Sequence, residues 1–335
     1  MNTTPAVSVI MPVYNAADFL DTAIDSVLRQ TFADFELICF NDASTDSSLE
    51  ILTRRAASDS RIKIIDSPRN VRQGAGRNAG IRAARGSFII FMDADDALRS
   101  DTLEKCMNEA DKETDLVSFA YCNWHSATGR LDNVCLLGSD APHISAEELR
   151  RRYILRTTSI WCSMYSKKLF FSNDLWFPEG VFYEDNAIAL ALQLSASKPK
   201  YINEPLYLYR QDNTSVTRSN NNPHFFDRIS SAVTLLQHLR RLGIYGSYKN
   251  EIDFAFINQY LVHTVFGAIY RFDSVQTHRI AEVRSGINHY IENWRSNPYW
   301  RSEPLKKRLK YHIHATIPRT IKLLSRIKRL SNNPS

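Results

Sequence analysis

The sequence lacks the features that mark secreted, zinc-binding and membrane-spanning proteins. Its 335 residues include only five cysteines, which are scattered and form no CxxC pair. This argues against a zinc site or a disulfide framework and fits a reducing compartment. The N-terminal stretch has no basic flank and no long apolar core, so no signal peptide is predicted. No stretch reads as the roughly 18 apolar residues of a spanning helix, so we expect a cytoplasmic protein.

Acidic residues are scarce at one end of the chain only. Residues 301–335 hold ten Lys and Arg against one acid, Glu303, whereas the net charge of the whole chain is +6. The rest of the protein is therefore slightly acidic, which excludes nucleic-acid binding as a property of the whole molecule. The tail also lacks interleaved aromatic residues apart from Tyr311, so no nucleic-acid partner is predicted.

Strand and helix patterns alternate over the first part of the chain. Short β-branched apolar runs indicate buried strands, and amphipathic stretches between them indicate helices. The predicted strands are 7–15, 35–42, 62–66, 87–96 and 115–124, and the predicted helices are 17–30, 44–58 and 100–111. The stretch 73–86 reads as a loop, a helix and a glycine stop. This order predicts an α/β fold with a mainly parallel central sheet and flanking helices. Ligands bind such sheets at the carboxyl ends of the strands, where polar residues are most informative.

Composition divides the chain into three predicted segments. Residues 1–220 form the α/β domain, in which the regular alternation loosens after residue 125. The polar sequence "SNNNP" reads as a linker into a helical region over 221–302. Residues 303–335 form a basic amphipathic tail.

The predicted strand 87–96 ends in three carboxylates, Asp93, Asp95 and Asp96. A strand buried on both faces cannot hold unpaired charges, so these acids belong at its open end. Strand alternation would place Asp93 and Asp95 on one side, where a divalent ion relieves their repulsion. Mn²⁺ or Mg²⁺ suits such oxygen ligands, with substrate phosphates completing the shell. A solvated acidic turn or a helix cap is the alternative, and Asp96 alone fits it.

Other polar residues reach the same predicted edge of the sheet. Asp42 is a candidate to pair with a base imino N–H, with Tyr14 against the ring of that base. Arg77, just inside a predicted helix start, is a candidate to meet a diphosphate, and Gly74 and Gly76 let backbone approach closely. A turn, a cap or a surface ion pair explains each residue taken alone. Because all of these residues are predicted to lie at the same edge of the sheet, a nucleotide site explains them better as a group.

Two blocks of the sequence resemble a known family. "VSVIMPVYNAADFLDTAIDSVLRQTFADFELICFNDASTD" and "NVRQGAGRNAGIRAARGSFIIFMDADD" look like glycosyltransferase family 2, inverting enzymes with the GT-A fold, of the bacterial polysaccharide or lipopolysaccharide type. The similarity covers roughly residues 5–217. It implies a Rossmann-like GT-A domain, followed here by helices. The donor-binding residues that it implies are Pro12, Tyr14, Asn15, Asp42, Arg77, Asn78 and Asp93, and the metal ligands are Asp95 and Asp93.

Two later segments extend the resemblance. "WFPEGVFYEDNAIAL" matches the block that would supply Asp185 as catalytic base, with Glu184 as its neighbour. An inverting transfer needs a carboxylate to take the acceptor proton, and the aromatic setting would raise its pKa. A helix N-cap pair is the alternative. "YLYRQDNTSVT" resembles the segment that closes over the donor diphosphate, which makes Arg210 and Ser215 candidates; an edge strand and turn is the alternative.

The sequence departs from the family pattern at two positions. Ala43 stands where a glycine usually follows the base-binding acid, and Gly76 stands where an alanine usually precedes "RN". Neither change removes a chemical group, so the fold prediction is unaffected while donor selectivity is less defined.

The resemblance implies a metal-dependent hexosyl- or N-acetylhexosaminyltransferase. The donor would be a nucleotide-diphosphate sugar, with a UDP-sugar favoured, and the acceptor a hydroxyl of a glycan or lipid-linked glycan in surface polysaccharide synthesis. A catalytically inactive docking module for glycan or lipid, with the same fold, is the alternative. An oxidoreductase is disfavoured because "GAGRNAG" does not directly follow its strand and lacks the GxGxxG spacing.

The tail adds a hypothesis about location. After Pro318, apolar residues share one broad helical stripe among basic ones, which suits a helix lying on anionic lipid. We therefore expect a peripheral protein on the inner face of the cell membrane. A helix packed on the body, or one that binds a partner, is the alternative. The aromatic helices over 253–272 are candidates for a homodimer face.

Overall fold

The computed structural model describes residues 4–135, 137–156, 159–211 and 219–332. The chain divides into two compact units, Met1–Asn213 and Thr214–Ser335. In its described residues the first unit holds the strands together with seven α-helices, and the second is helical.

The first half of the N-terminal unit alternates strands and helices as the sequence pattern indicates. The strands are Val7–Val13 (β1), Phe35–Asn41 (β2), Ile62–Asp66 (β3) and Phe88–Phe91 (β4), and the helices are Ala17–Leu28 (α1), Ser48–Ser58 (α2) and Arg72–Ala83 (α3). Every residue of β1 and β2 is buried, because helices cover both faces of the sheet. The four strands pair in parallel in the order β3-β2-β1-β4.

The second half of this unit is less regular. Its strands are Ala97–Leu98 (β5), Leu116–His125 (β6), Arg130–Val134 (β7), Ser163–Ser166 (β8) and Pro199–Arg210 (β9), and its helices are Thr102–Glu109 (α4), Ala146–Leu155 (α5), Lys168–Ser172 (α6) and Ala189–Ser195 (α7). β8 joins β4 to β6 by antiparallel pairing, and β9 lies parallel to β6. Within the described residues the nine strands form one sheet, which is mixed rather than mainly parallel.

The second unit consists of helices in its described part. They are Asp227–Arg241 (α8), Lys249–Phe256 (α9), His263–Tyr270 (α10), Thr277–Tyr290 (α11), Pro298–Ser302 (α12), Leu305–Thr316 (α13) and Pro318–Asn332 (α14). A π-helical segment, Ile257–Val262, joins α9 to α10 without a break.

The continuous helix Lys249–Tyr270 is long and apolar enough, by length and composition, to cross a membrane. The sequence prediction that no such stretch exists is wrong, because polar residues interrupt this apolar pattern without lowering its mean hydropathy below 1.2. The fold buries 67% of the qualifying window, which is typical of a core helix.

Candidate active site

The three aspartates after β4 lie in a turn. β4 ends at Phe91, and the Asp96 N–H donates to the Asp93 carbonyl oxygen at 3.1 Å. The predicted extension of this strand to residue 96 is therefore wrong. Strand alternation does not orient Asp93 and Asp95, so their placement depends on the contacts of the turn.

Tyr207 and Arg210, from the end of β9, hold this turn in place. The Tyr207 hydroxyl accepts the Asp93 N–H at 3.1 Å and donates to Asp96 Oδ2 at 2.7 Å. The Arg210 N–H donates to Asp96 Oδ1 at 2.8 Å, and Arg210 Nε donates to the Asp95 carbonyl oxygen at 2.6 Å. The sequence did not predict the role of Tyr207, because its partners lie more than 100 positions away.

Asp96 is the buried anchor of the turn. Its residue is 1% exposed, so the prediction of a solvated acidic turn is wrong for this residue. Burial, together with the charges of Asp95 and Asp93, raises the pKa of Asp96 well above its ordinary value. The two donors from β9 compensate the carboxyl group for the loss of water.

Arg210 packs against two aromatic rings. Its guanidinium carbon lies 4.0 Å from the ring centre of Trp124 and 5.1 Å from that of Phe19. Such stacking fixes the side chain that orients the aspartate turn. Ser215, predicted beside Arg210 in the donor site, lies outside the described residues.

Arg77 connects the aspartate turn to the segment that carries Glu184. α3 begins at Arg72, so Arg77 occupies the middle of the helix. The prediction that Arg77 lies just inside the start of the helix is therefore wrong. The side chain is buried, and its Nη2 donates to Asp93 Oδ1 at 2.8 Å while Nη1 pairs with Glu184 Oε1. Its buried Nε has no acceptor among the described residues. One guanidinium thus draws two carboxylates from distant parts of the sequence together.

Asn78 fastens the segment before Glu184 to α3. Its Nδ2 donates to the Phe177 carbonyl oxygen at 2.9 Å and to Glu179 Oε1 at 3.0 Å, and its Oδ1 accepts the Phe177 N–H at 3.0 Å. Close approach is possible because Gly74 has no side chain. A Cβ at this position would lie 2.3 Å from the carbonyl oxygen of Pro178.

Glu184 and Asp185 stand at the start of a short 3₁₀ turn, Asp185–Ala187. Burial raises the pKa of Glu184 to about 7, although the positive charge of Arg77 opposes this rise. Burial also raises the pKa of Asp185, again against the charge of Arg77. Glu184 pairs with Arg77 and makes no side-chain cap bond, so it does not fit the alternative of an N-cap pair.

The residues predicted around a nucleotide base lie at the ends of β1 and β2. Pro12 is buried within β1, whereas Tyr14 is 50% exposed just beyond it. Asn15 has a positive φ of 48°, and its Oδ1 accepts the Thr45 N–H at 2.8 Å. The end of β1 is thereby tied to the loop after β2.

Asp42 is buried at the end of β2. Its Oδ1 accepts the Val71 N–H at 2.6 Å and its Oδ2 accepts the Arg72 N–H at 2.8 Å, so the carboxylate satisfies donors at the start of α3. Each carboxylate oxygen retains a further lone pair for a ligand. Ala43 follows with a positive φ of 56°.

The acidic residues of the turn suit a divalent ion that also binds substrate. Among the described residues, no group of three or more His, Cys, Asp and Glu side chains is placed to hold a metal by itself. Asp93 and Asp95, both partly exposed, offer oxygen atoms only. Mg²⁺ and Mn²⁺ are commonly held by one or two carboxylates with phosphate oxygens, so this donor set fits either ion.

Comparison with known proteins defines the class. Residues 8–171 match the sequence profile of Glycosyl transferase family 2. The chain is 30% identical over 261 residues to the uncharacterized glycosyltransferase EpsJ of Bacillus subtilis (strain 168), covering 74% of each chain. It is 29% identical over 276 residues to the uncharacterized glycosyltransferase YibD of Escherichia coli (strain K12), covering 76% of this chain and 78% of the relative. The chain belongs to glycosyltransferase family 2.

Solved structures confirm the predicted GT-A fold. The crystal structure of S. aureus TarS 1-349 matches with a TM-score of 0.67 and 20% identity, covering 94% of this chain and 91% of that chain. The same fragment in complex with UDP-GlcNAc matches with a TM-score of 0.58 and 21% identity, covering 92% and 79%. The likeness is one of fold and includes a helical C-terminal region.

Proposed function

We propose that the protein is an inverting glycosyltransferase that moves a sugar from a UDP-sugar to a hydroxyl of a glycan or lipid-linked glycan in surface polysaccharide synthesis. The observation that carries this proposal is the pairing of Arg77 with both Asp93 and Glu184. It joins the donor-side turn to the segment with the candidate base. A UDP-sugar is favoured because the TarS fragment of similar fold binds UDP-GlcNAc.

The donor would bind across the ends of β1, β2 and β4. Tyr14 offers an exposed ring to the base, and Asp42 offers carboxylate lone pairs to its imino group. Pro12 and Asn15 shape this end of the site. Arg77 and Asn78 would shape the donor site mainly by positioning other residues. Arg77 binds the aspartate turn, and Asn78 binds the Phe177 segment.

Asp95, with help from Asp93, would hold Mn²⁺ or Mg²⁺ against the donor diphosphate. A bound ion supplies positive charge that stabilises the leaving diphosphate. Tyr207 and Arg210 hold the main chain of Asp93 and Asp95 through the hydrogen bonds of the turn, and Arg77 holds Asp93 Oδ1. This order would present oxygen ligands in place before the ion binds.

Asp185 would be the general base. Its carboxylate takes the proton of the acceptor hydroxyl, whose oxygen forms a bond to the anomeric carbon on the face opposite the diphosphate. The bond from that carbon to the diphosphate oxygen breaks, and an α-linked donor gives a β-linked product. The raised pKa of Asp185 makes it a stronger base than an exposed aspartate. Glu184, held by Arg77, positions this segment.

The proposals for the acceptor and for the location of the protein depend on the tail helices α13 and α14. α13 exposes three apolar residues spaced four apart, a fourth follows directly after its end, and α14 exposes three more among its basic residues. They are Leu305, Leu309, Ile313, Ile317, Leu323, Leu324 and Ile327. Apolar side chains beside Lys and Arg favour binding to an anionic membrane surface. A peripheral enzyme at the inner face of the membrane would meet lipid-linked acceptors there.

The first test is ligand-induced thermal stabilisation. UDP, GDP, CMP and NAD are each added with Mn²⁺ or with a chelator, and the melting temperature is recorded. A ligand at 100 times its Kd adds about 2.7 kcal/mol of stability. We expect UDP with Mn²⁺ to give the largest shift and Asp95→Asn to abolish it. A shift with NAD alone would contradict the proposal.

Turnover separates the enzyme from the inactive docking module. Asp185→Asn is expected to keep the UDP-dependent melting shift and to lose transfer from UDP-sugars. Ser195→Ala, at the end of α7, is a control expected to keep both properties. Wild-type protein that binds UDP-sugars but releases no UDP with any glycan or lipid-linked acceptor would favour the docking module.

A further inference from the structure

The second unit contains a groove that the transferase chemistry does not use. It has a volume of about 380 Å³ and lies between the π-helical segment, α11, the turn at Trp294 and α13. This volume falls within the range of roughly 300–1,000 Å³ that is typical of small-ligand sites. The lining residues on which the argument depends are Leu261, Arg284, Ser285, Asn288, Arg295 and Tyr311.

Positive charge is concentrated at this groove. Arg284 and Arg295 line it, and no Asp or Glu is among its lining residues in the described part of the chain. Neither arginine forms an ion pair with a described residue, although Arg284 Nη1 donates to the Ala315 carbonyl oxygen at 2.7 Å and Arg295 lies 4.6 Å from the ring centre of Trp294. Both guanidinium groups are therefore held in place without a neutralising acid.

A third arginine, Arg308, adds positive charge near the same groove. Burial, together with Arg295, Arg284 and Arg308, lowers the pKa of His312 on α13. The positive charges of three guanidinium groups thus disfavour protonation of the same imidazole, that of His312. Arg308 Nε is buried without an acceptor among the described residues. Like charges around one groove oppose one another, and an anion bound there would relieve that repulsion.

We infer that this groove binds a phosphate group. Arginine forks match phosphate oxygens with paired hydrogen bonds, and Ser285 and Asn288 add further donors at the rim. Leu261 and Tyr311 give the lining an apolar part, which suits a phosphate attached to an organic group. The phosphate belongs to a lipid headgroup or to a soluble phosphate compound. The inference does not depend on the transferase activity.

Asn288→Asp is the sharpest test. The change keeps the size of an exposed side chain and sets a carboxylate among the arginines, so we expect normal folding and weakened anion binding. Arg295→Gln is a second variant, and Arg301→Gln is the matched control because Arg301 is an exposed arginine of the same unit. Two probes are used in the presence of a chelator. They are inorganic phosphate, by calorimetry, and vesicles of phosphatidylglycerol and phosphatidylcholine in equal parts, by co-sedimentation.

The expected result is binding to at least one probe that both groove variants weaken about tenfold, a loss of about 1.4 kcal/mol. The Arg301→Gln control should bind like wild type. A loss confined to vesicles identifies a lipid headgroup, and a loss of phosphate binding with vesicle binding unchanged identifies a soluble phosphate compound. Equal behaviour of wild type, Asn288→Asp and Arg295→Gln with both probes, including no binding by any of them, would overturn the inference.

Discussion

At the scale of single residues, the Tyr207 hydroxyl is the smallest group on which the aspartate turn depends. It accepts from the main chain of Asp93 and donates to the carboxyl group of Asp96. The ring itself is held by stacking on Trp161, with ring centres 4.3 Å apart. One oxygen atom therefore links a rigid aromatic cluster to both ends of the turn.

Tyr207→Phe removes that oxygen and keeps the ring. A partly buried N–H and a buried carboxyl group lose a partner, so we expect a loss of about 1–3 kcal/mol in the free energy of unfolding. UDP binding with Mn²⁺ should weaken as well, because the turn is less ordered. Urea denaturation and UDP titration measure the two effects. Tyr201→Phe, on the same strand, is the control; equal results for both variants would show that the hydroxyl is unimportant.

A second residue-scale prediction concerns Ala43. Its φ of 56° lies in the left-handed region, which costs a residue with a Cβ about 1–2 kcal/mol. We expect Ala43→Gly to raise the free energy of unfolding by about 0.5–1 kcal/mol after the entropy cost of glycine. Ala56→Gly, within α2, should have the opposite sign by about 1 kcal/mol. Denaturation that shows Ala43→Gly to be destabilising would contradict this account.

At the scale of elements, α3 positions the candidate base. Asn78 binds Phe177 through both amide atoms, and Gly74 lets the Pro178 carbonyl lie against the helix. Arg77, between them, reaches Glu184. Three neighbouring positions of one helix thus locate a segment about 100 residues further along the chain.

Gly74→Ala tests this arrangement. The new methyl group would lie 2.3 Å from the Pro178 carbonyl oxygen and 3.3 Å from Glu184 Cγ, so the segment must move. We expect a loss of about 1–3 kcal/mol in stability and a larger fall in kcat than in UDP affinity. Gly246→Ala is the control, because a Cβ there meets nothing within 4 Å. Unchanged kcat would indicate that Glu184 and Asp185 do not depend on this packing.

These elements also show what the sequence could predict. The strands β1 to β3 and the helices α1 to α3 were predicted within a few residues. Burial on both faces leaves long, mainly apolar runs in β1 and β2, and amphipathic patterns mark the helices between the strands. The position of Arg77 within α3 was not predicted. The start of this helix is set by Asp42, about 30 residues earlier, whose carboxylate accepts the main-chain N–H groups of Val71 and Arg72. The burial of Asp96 was also missed. Its partners on β9 are set by tertiary packing, which no local pattern records.

At the scale of the whole molecule, the charge and the exposed apolar residues of the tail belong to the same two helices. α13 presents Leu309 and Ile313 to solvent with 50% and 47% exposure, next to lysines and arginines. This combination distinguishes the tail from the buried core helix at Lys249–Tyr270. It favours contact with the surface of a membrane over passage through it.

Replacing Leu309 and Ile313 by Asp tests the membrane proposal. Each side chain contributes about 1.5–3 kcal/mol when fully buried, so the double variant should bind phosphatidylglycerol vesicles at least about tenfold less tightly. UDP binding should be unchanged. Leu131→Asp makes the same substitution on exposed β7 and should have no effect on vesicle binding. Vesicle binding that survives the double substitution would show that this face does not hold the protein on the membrane.

The π-helical segment Ile257–Val262 has a consequence for how this molecule tolerates insertions and deletions. An α-helix turns by about 100° per residue. The wider turn of the π-helical segment therefore changes the direction in which the side chains of α10 point relative to those of α9. The phase of α10 places Gly267 against the Phe225 ring, where a Cβ would lie 2.0 Å from the nearest ring atom. Deleting one residue from the segment would restore regular winding and bring a larger side chain to that ring. We therefore expect such a deletion to destabilise the second unit, because a side chain larger than glycine would meet the Phe225 ring.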